Sequence, residues 1–302
     1  MLNLHQKKKR NLRWIPISFL VLVFAAALIL IWAFQIEPRM LRQTSYAISS
    51  QELPAAWDGR RIGFLSDIHA GPGFGKSQLA EAVDKLMAKK PDVILYGGDL
   101  VDSSTPLDDE EFASEIIAEL SRLEAPLGKF AVIGNHDNRL RHELETAINW
   151  LESSGFEVLI NQSLIVDGVW LGGLDESYFG NPDLAATLSG PEDKYAYGSI
   201  DESDIYRIML MHQPDYLPDY ENHEGVAALD LVFSGHSHNG QITILGMPLI
   251  KVHQGRNYIL GQYQPFAGSS GQLIVSGGLG TVIIHARLFN LPEIVTVDLS
   301  NE

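Results

Sequence analysis

The chain has 302 residues, of which 45% are hydrophobic, enough for the core of one large domain or two smaller ones. It has no cysteine, which excludes disulfides, thiolate zinc sites and a cysteine nucleophile. The first 13 residues carry five basic and no acidic side chains, so the rest is more acidic than the net charge of −16 indicates. We therefore expect no nucleic-acid-binding surface, and a phosphate group would need bound metal as its source of positive charge.

Residues 14–34 are apolar and uncharged, and they are long enough to cross the hydrocarbon core of a bilayer as a helix. A buried helix or a cleaved signal peptide would be alternatives, but the stretch has no small-x-small cleavage site. We predict a basic tail at residues 1–13 followed by an uncleaved transmembrane anchor at 14–34. The basic residues before the anchor outnumber Arg39 and Arg42 just after it. This bias predicts a single-pass cell-membrane protein whose main domain is extracytoplasmic.

The rest of the chain is predicted to be an α/β domain. Residues 35–59 form a juxtamembrane connector with an edge strand at 46–49, and the domain covers 60–302. Helix spacing occurs near residues 79–87, 116–123 and 144–151. Strands become closer together after residue 155, at 156–160, 163–166, 169–174, 207–211, 229–233, 241–245, 272–276 and 294–298. This order suggests two packed mixed β-sheets with helices outside. Residues 176–204 would form a surface loop or a lid, and Tyr178, Phe179, Tyr195 and Tyr197 could form an apolar rim.

One pattern occurs five times: an apolar strand, then a glycine or other small residue in most cases, then a side chain that can bind metal. The candidate ligands are Asp67, His69, Asp99, Asn135, His212, His236 and His238. Carboxylate oxygen and imidazole nitrogen are the ligands that divalent cations take when thiolate is absent. Seven such groups are too many for one tetrahedral ion, but they suit two ions that share a bridging carboxylate, for which Asp99 is placed.

Two neighbouring metal ions would clamp the attacking and leaving oxygens of an in-line phosphoryl displacement. They would also lower the pKa of a bridging water and so supply hydroxide near neutral pH. His136, beside Asn135, is placed to give the leaving oxygen a proton or a positive charge. Asp137 could orient His136 or cap the following helix. Arg139 could contact a phosphate oxygen or lie on a solvated helix face.

In the order and spacing of these residues, the chain resembles the calcineurin-like metallophosphoesterases over about residues 60–300. The matching motifs are Asp67-x-His69, Gly98-Asp99, Gly134-Asn135-His136-Asp137, His212 and Gly235-His236-x-His238. Within that superfamily it is most similar to the bacterial membrane-anchored phosphodiesterase branch, which the stretches 212–215, 240–241, 276–280 and 291–294 also resemble. Ser237 and Asn239 differ from the threonine and glycine often seen beside the two histidines.

The resemblance implies a four-layer α-β-β-α sandwich and two divalent metal ions, which are manganese, iron or zinc in the family. One ion would be held by Asp67, His69, Asp99 and His238. The second would be held by Asp99, Asn135, His212 and His236, with Asn135 and His136 also binding substrate. The implied reaction is phosphoester hydrolysis, of a phosphodiester in the branch named above. The anchor makes a lipid or envelope-derived substrate the expected partner.

Three alternatives stay open at this point. Residues 70–77 meet a relaxed P-loop pattern, which would make an ATPase, but Ala70 replaces the first glycine and Pro72 removes a backbone donor. A cytoplasmic pyrophosphohydrolase of a nucleotide-linked lipid precursor is also compatible with the resemblance, against the predicted orientation. A non-catalytic binding scaffold would be expected to lose ligands, and none is missing.

Overall fold

The N-terminal helix stands apart from the strands. The computed structural model describes residues 14–189, 205–216, 229–265 and 270–302, so the predicted basic tail, Tyr195, Tyr197 and part of the predicted loop 176–204 lie outside the described residues. Helix α1 covers Trp14–Ile31 and continues as a π-helical turn, Trp32–Ile36, and a 3₁₀ turn, Glu37–Arg39. Within the described residues one stretch, Ile17–Arg39, is long and apolar enough to cross a membrane, and only 6% of its apolar 18-residue window is buried. It overlaps the predicted anchor.

The first sheet has six strands in the order β1-β14-β2-β3-β4-β5. Their bounds are β1 Arg42–Ser49, β2 Arg61–Leu65, β3 Val93–Tyr96, β4 Lys129–Ala131, β5 Glu157–Val158 and β14 Glu293–Ser300. Strands β2 to β5 run parallel, β14 runs antiparallel to β2, and β1 pairs parallel with β14. The predicted edge strand at 46–49 is the second half of β1, so the predicted connector contributes a strand to the edge of this sheet.

The second sheet also has six strands, in the order β12-β13-β9-β8-β7-β6. Their bounds are β6 Gln162–Val166, β7 Val169–Gly173, β8 Arg207–Leu210, β9 Leu231–Ser234, β12 Gly261–Tyr263 and β13 Gln272–Val275. The four central strands are parallel, and the two edge strands are antiparallel to their neighbours. The strand expected at 241–245 is shorter and lies outside this sheet: β10 (Thr243–Ile244) pairs only with β11 (Met247–Pro248).

The two sheets pack face to face and helices cover their outer faces. Phe64 of β2 and Phe233 of β9 meet between the sheets with ring centroids 5.0 Å apart, inside the largest apolar cluster. The outer face of the first sheet is covered by α2 (Lys76–Met87), α3 (Glu110–Ser121) and α4 (Arg141–Ser153). The short α5 (Leu184–Leu188) packs on the second sheet. The predicted α-β-β-α architecture and its three helices are confirmed.

The parallel strands position the polar loops. Central parallel strands covered on both faces must be apolar along their whole length, and β2, β3, β8 and β9 are buried almost throughout. Their polar residues can therefore follow only after the strand ends. In such sheets, ligands bind outside the carboxyl ends of the strands. Strands β2, β3, β4, β8 and β9 all lead directly into the loops that hold the candidate metal ligands.

Candidate metal centre

Two groups of buried ligand atoms share the Asp99 carboxylate. The first group is Asp67, His69, Asp99 and His238, and the second is Asp99, His212 and His236. Within each group one ligand atom per residue lies within 4.8 Å of all the others. The structure thus brings together six of the seven predicted metal ligands around one carboxylate, in the two sets that the resemblance implied.

Within each group, imidazole nitrogens and carboxylate oxygens that can bind metal lie close to one another. His69 Nε2 and His238 Nε2 are 3.0 Å apart, and His69 Nε2 lies 3.5 Å from Asp99 Oδ2. In the second group, His212 Nε2 lies 3.1 Å from the same Asp99 oxygen. Both groups therefore point lone-pair-bearing atoms at a common space beside Asp99.

Unpaired buried atoms test whether this donor set fits metal ions. Among the described residues, the buried atoms Asp67 Oδ2 and Asn135 Oδ1 have no hydrogen-bond partner. Buried polar atoms without partners are rare in native proteins and need an explanation. Divalent cations bound to oxygen and imidazole ligands would satisfy both atoms. The donor set fits. Asn135, the seventh predicted ligand, lies between Gly134 and His136, whose backbones both approach Asp99.

The second nitrogen of two histidines donates to a backbone carbonyl, and that of a third lies near a carboxylate. His212 Nδ1 donates to the carbonyl of Gly97 at 2.7 Å, and His236 Nε2 donates to the carbonyl of His253 at 2.8 Å. His69 Nδ1 lies 3.5 Å from Asp102 Oδ2. Such outer contacts set the tautomer and orientation of metal-binding imidazoles.

Asp102 is a member of the site that sequence reasoning missed. Burial opposes its ionisation, but contacts with His69 and with the Ser104 hydroxyl and amide bring its pKa below the usual range. A charged carboxylate behind His69 makes that imidazole a stronger ligand. The only signal in the sequence is its position three residues after Asp99.

The charges at the centre are strongly coupled. Burial lowers the pKa of His212, but the adjacent Asp99 outweighs this effect and brings the pKa to about 10. His212 and other nearby imidazoles hold the pKa of Asp99 well below its usual range despite burial. Burial, with His212 beside it, lowers the pKa of His236 to about 3, so this ring is neutral, as a metal ligand must be. A proton on His212 thus sits where a divalent cation would be bound.

Five of the ligands have left-handed backbone conformations. The φ angles are 53° for Asp67, 45° for His69, 59° for Asp99, 67° for His236 and 48° for His238. Non-glycine residues adopt this region infrequently and at a cost, and such residues concentrate at functional sites. The conformation turns each ligand sharply out of its strand direction toward the common centre.

Two motif glycines allow the loops to approach each other. A Cβ at Gly134 would lie 2.1 Å from Asp99 Oδ1, and a Cβ at Gly235 would lie 2.3 Å from Asp67 Oδ2. Any side chain at either position would collide with a ligand carboxylate. These glycines are required because the carboxylates occupy the space beside the backbone.

Asp137 holds two ligand-bearing loops together. Its buried carboxylate accepts hydrogen bonds from the backbone amides of Asp99, Leu100, Val101 and Gly134 at 2.8–2.9 Å. It neither orients the His136 ring nor caps α4, which begins at Arg141. Burial raises its pKa to about 7 and Asp99 adds to this effect, while the backbone donors oppose it. Asp137 is thus the brace between the loops after β3 and β4.

His136 lies at the mouth of the centre. Its amide donates to Asp99 Oδ1 at 2.8 Å, and its ring meets the ring of His69 edge-on at a centroid distance of 4.9 Å. Within the described part of the chain its Nδ1 has no hydrogen-bond partner, and burial lowers its pKa. Arg139, by contrast, is engaged by Glu143 in the first turn of α4. His136 is beside the metal ligands, whereas Arg139 is tied to its own helix.

A loop after β7 covers one side of the centre. The buried Glu176 accepts from the amides of Tyr178 and Phe179 at 2.7 Å each and from the side chains of Asn138 and Gln213. It thereby fixes the Tyr178 hydroxyl 3.3 Å from His236 Nε2. Sequence reasoning treated Tyr178 only as a possible rim residue and missed Glu176.

Arg287 supports the other side. Its buried guanidinium donates to the carbonyls of Gly277, Gly278 and Gly280 at 2.6–3.1 Å. That loop is tightly packed, since a Cβ at Gly278 would lie 2.6 Å from the Cβ of Asp67. Arg287 has no signal in the sequence, because its partners are backbone carbonyls.

Comparisons with known proteins agree with this geometry. Residues 60–240 match the family model of the calcineurin-like phosphoesterases. The chain belongs to this family. The uncharacterized metallophosphoesterase YkuE of Bacillus subtilis is 31% identical over 278 residues, 89% of this chain and 89% of YkuE. Phosphodiesterase YaeI of Escherichia coli is 28% identical over 246 residues, 79% of this chain and 82% of YaeI. A Danio rerio transmembrane protein with metallophosphoesterase domain is 30% identical over 271 residues, 83% of this chain and 56% of the relative.

Family membership makes the chain a hydrolase that acts on phosphoric ester bonds. The P-loop alternative fails on geometry as well, because Lys76 Nζ donates to Glu115 of α3 at 3.0 Å and leaves the loop before it without its cation. The scaffold alternative expected ligands to be lost, yet six of the seven predicted ligands form the two buried groups, and the seventh, Asn135, is retained next to His136.

Proposed function

We propose that this protein is a two-metal phosphodiesterase. The observation that carries the proposal is the pair of ligand groups that share Asp99. Asp67, His69, Asp99 and His238 would hold one divalent ion, and Asp99, Asn135, His212 and His236 would hold the other. When bound, such a pair supplies Lewis acidity toward a phosphoryl group and a nucleophilic water at neutral pH.

The chain's own residues would contribute positioning and proton transfer. The carbonyls of Gly97 and His253 would keep His212 and His236 in one orientation, with Asp102 behind His69. His136, whose Nδ1 has no partner among the described residues, would hydrogen-bond the phosphoester and give a proton to the leaving oxygen. Asn135 would bind both metal and substrate through its amide.

The preference for a diester rests on the relatives. One relative that covers 79% of the chain is named a phosphodiesterase. We propose membership of the membrane-anchored bacterial branch, with α1 as the anchor, because its composition suits a span and another relative is named a transmembrane protein. The basic residues before α1 favour an extracytoplasmic catalytic domain and a lipid or envelope-derived substrate.

The test uses the full chain purified in detergent without chelator. An aryl phosphodiester and the matching monoester are compared with and without added manganese, zinc or iron, and bound metal is measured by mass spectrometry. We expect about two ions per chain and faster cleavage of the diester. Faster cleavage of the monoester would overturn the diester assignment, and one ion per chain would overturn the two-metal arrangement. Reporter fusions on both sides of α1 would separate this proposal from a cytoplasmic pyrophosphohydrolase.

Two variants separate the roles of the site residues. Asp99→Asn should lose activity and most bound metal, because both groups share this carboxylate. His136→Ala should keep its metal and lose roughly 10²- to 10⁴-fold in turnover. His142→Ala, which removes an exposed histidine from α4, is the matched control and should retain both. A metal-free His136→Ala protein would show that the division of roles is wrong.

A further inference from the structure

Two loops next to the metal centre expose large apolar side chains to solvent. One is the β10–β11 hairpin with the residues after it, and the other is the segment 281–289. The side chains that define this apolar patch are Leu245, Met247, Leu249, Ile250, Ile283 and Phe289. Leu245 is 92% exposed and Ile283 is 91% exposed. Exposed apolar groups of this size mark interaction surfaces when they are contiguous.

Hydrogen bonds join the two loops into one surface. The Gln241 side chain donates to the carbonyl of Val282 at 2.9 Å and accepts from the Val282 amide at 2.7 Å. The backbone continues this pairing, since Thr243 donates to the carbonyl of Leu288 at 2.9 Å. The apolar side chains are therefore held in fixed positions relative to one another.

The patch is continuous with the end of the apolar helix α1. The amide of Arg287 donates to the carbonyl of Ala33 at 2.9 Å, and the amide of Asn290 donates to the Glu37 carboxylate. Ala33 and Ile36 belong to the π-helical turn that extends α1, and Glu37 is the first charged residue after the apolar stretch. Interfacial segments of membrane proteins insert their apolar faces by roughly 5–10 Å. The segment 281–289 thus lies level with the last turn of the stretch that would occupy the bilayer.

We propose that the apolar patch inserts into the bilayer beside α1 and seats the catalytic domain on the membrane surface. The proposal rests on the anchoring role of α1 given above. The polar surroundings fit an interface: Lys251 and Arg256 are exposed immediately after the hairpin, and Arg39 lies at the end of the helix. Cations at this level contact anionic lipid headgroups. A bilayer is the occupant that explains both the apolar tips and the direct contact with α1.

Insertion would bring the metal centre close to lipid headgroups. The hairpin begins shortly after His238, and it packs so closely on the turn at Gly240 that a Cβ there would lie 2.3 Å from the carbonyl of Ile250. Three residues later, the carbonyl of His253 accepts from His236. The patch and the metal ligands are thus parts of one rigid loop system. The substrate class that fits is a phosphodiester carried in the headgroup region of a membrane lipid.

Depth measurement tests insertion without any assay of activity. The chain has no cysteine, so Leu245→Cys and Ile283→Cys each allow one environment-sensitive fluorophore on the full chain in lipid vesicles. Phe24→Cys reports on α1, and Glu152→Cys, exposed at the far end of α4, is the aqueous control. We expect labels at 245 and 283 to shift to shorter emission wavelengths, to be quenched by spin-labelled lipid and to be shielded from iodide. The label at 152 should show the reverse.

Three outcomes would overturn the proposal in distinguishable ways. Iodide quenching at 245 and 283 equal to that at 152 would place the patch in water. Shielding from both quenchers would show that another protein or a second copy of this chain covers it. Lipid quenching at position 24 but not at 245 or 283 would reject the insertion while the anchor stands, whereas no lipid quenching at 24 would reject the anchor itself.

A functional comparison adds the substrate class. The double variant Leu245→Glu with Ile283→Glu should lose about tenfold or more in cleavage of a phospholipid in vesicles, because carboxylates oppose insertion. Its cleavage of a soluble aryl phosphodiester should be unchanged, and Leu245→Ile with Ile283→Leu should retain both activities. Equal loss on both substrates would assign the effect to distortion of the metal centre. No cleavage of either substrate by the unaltered chain would instead reject the proposed function.

Discussion

Asp137→Asn tests whether one buried carboxylate braces the metal centre. The substitution keeps the shape of the side chain but replaces one oxygen by an NH₂ group, which cannot accept a hydrogen bond. Two of the four backbone amides that donate hydrogen bonds to Asp137 would then face another donor, the NH₂ group. A hydrogen bond to a charged group contributes about 1.5–3 kcal/mol, so we expect a loss of about 3–6 kcal/mol in unfolding free energy. For a domain of this size, that loss lowers the melting temperature by about 6–24 °C.

Thermal and urea unfolding of the full chain in detergent, followed by tryptophan fluorescence, would measure this loss. Repeating the measurement with added chelator separates the contribution of bound metal to the unfolding free energy from the contribution of the Asp137 hydrogen bonds. Asp109→Asn is the matched control, because Asp109 accepts two amides at the exposed start of α3 and asparagine caps a helix equally well. If Asp137→Asn and Asp109→Asn unfold within about 1 kcal/mol of the unaltered chain in the presence of chelator, the reasoning is refuted.

Two further substitutions test electrostatic contacts. Asp102→Asn removes the charge behind His69 and should weaken metal binding by about 10- to 100-fold. Competition with a chromophoric chelator measures the affinity. An unchanged affinity would show that the 3.5 Å contact between Asp102 and His69 has no effect on His69 as a ligand. Burial and the neighbouring Glu52 raise the pKa of Asp230 to about 7 from 3.8, so the folded state holds a proton that the unfolded state releases between these values. The unfolding free energy should therefore fall as pH rises from about 4 to about 7. It should fall less steeply in Asp230→Asn, whose side chain still accepts from the Arg207 amide. Parallel profiles of unfolding free energy against pH for the two proteins would contradict this.

The metal ligands could be predicted from the sequence because their positions follow from strand geometry. A buried parallel strand is apolar to its end, so a polar residue such as Asp67 or His212 appears only where the strand stops. Repetition of this pattern at five strand ends predicted one common centre, and the structure groups six of the seven candidates around Asp99. Local pattern was sufficient because each ligand lies within four residues of a strand end.

The supporting residues could not be predicted because their partners are distant or are backbone groups. Glu176 and Arg287 bind mainly amides and carbonyls, which leave no trace in side-chain identity. Strand β1 was predicted only in part, since its pairing with β14 joins residues about 250 positions apart. The segment 241–245 has strand-like composition, but its backbone pairs with its hairpin partner and with Leu288, outside both six-stranded sheets. In each case tertiary contact, and not local propensity, decided the structure.

The left-handed conformations of the ligands explain why so many braces are buried around the centre. A non-glycine residue in this region costs about 1–3 kcal/mol, and five such residues together rival the whole stability of a typical domain. The strained conformations persist because other contacts over-determine them. Asp137 and Arg287 supply such contacts through hydrogen bonds to backbone groups. They fix the loops after β3, β4 and β13 beside the ligand atoms, and a preorganised site needs such support from the residues around it.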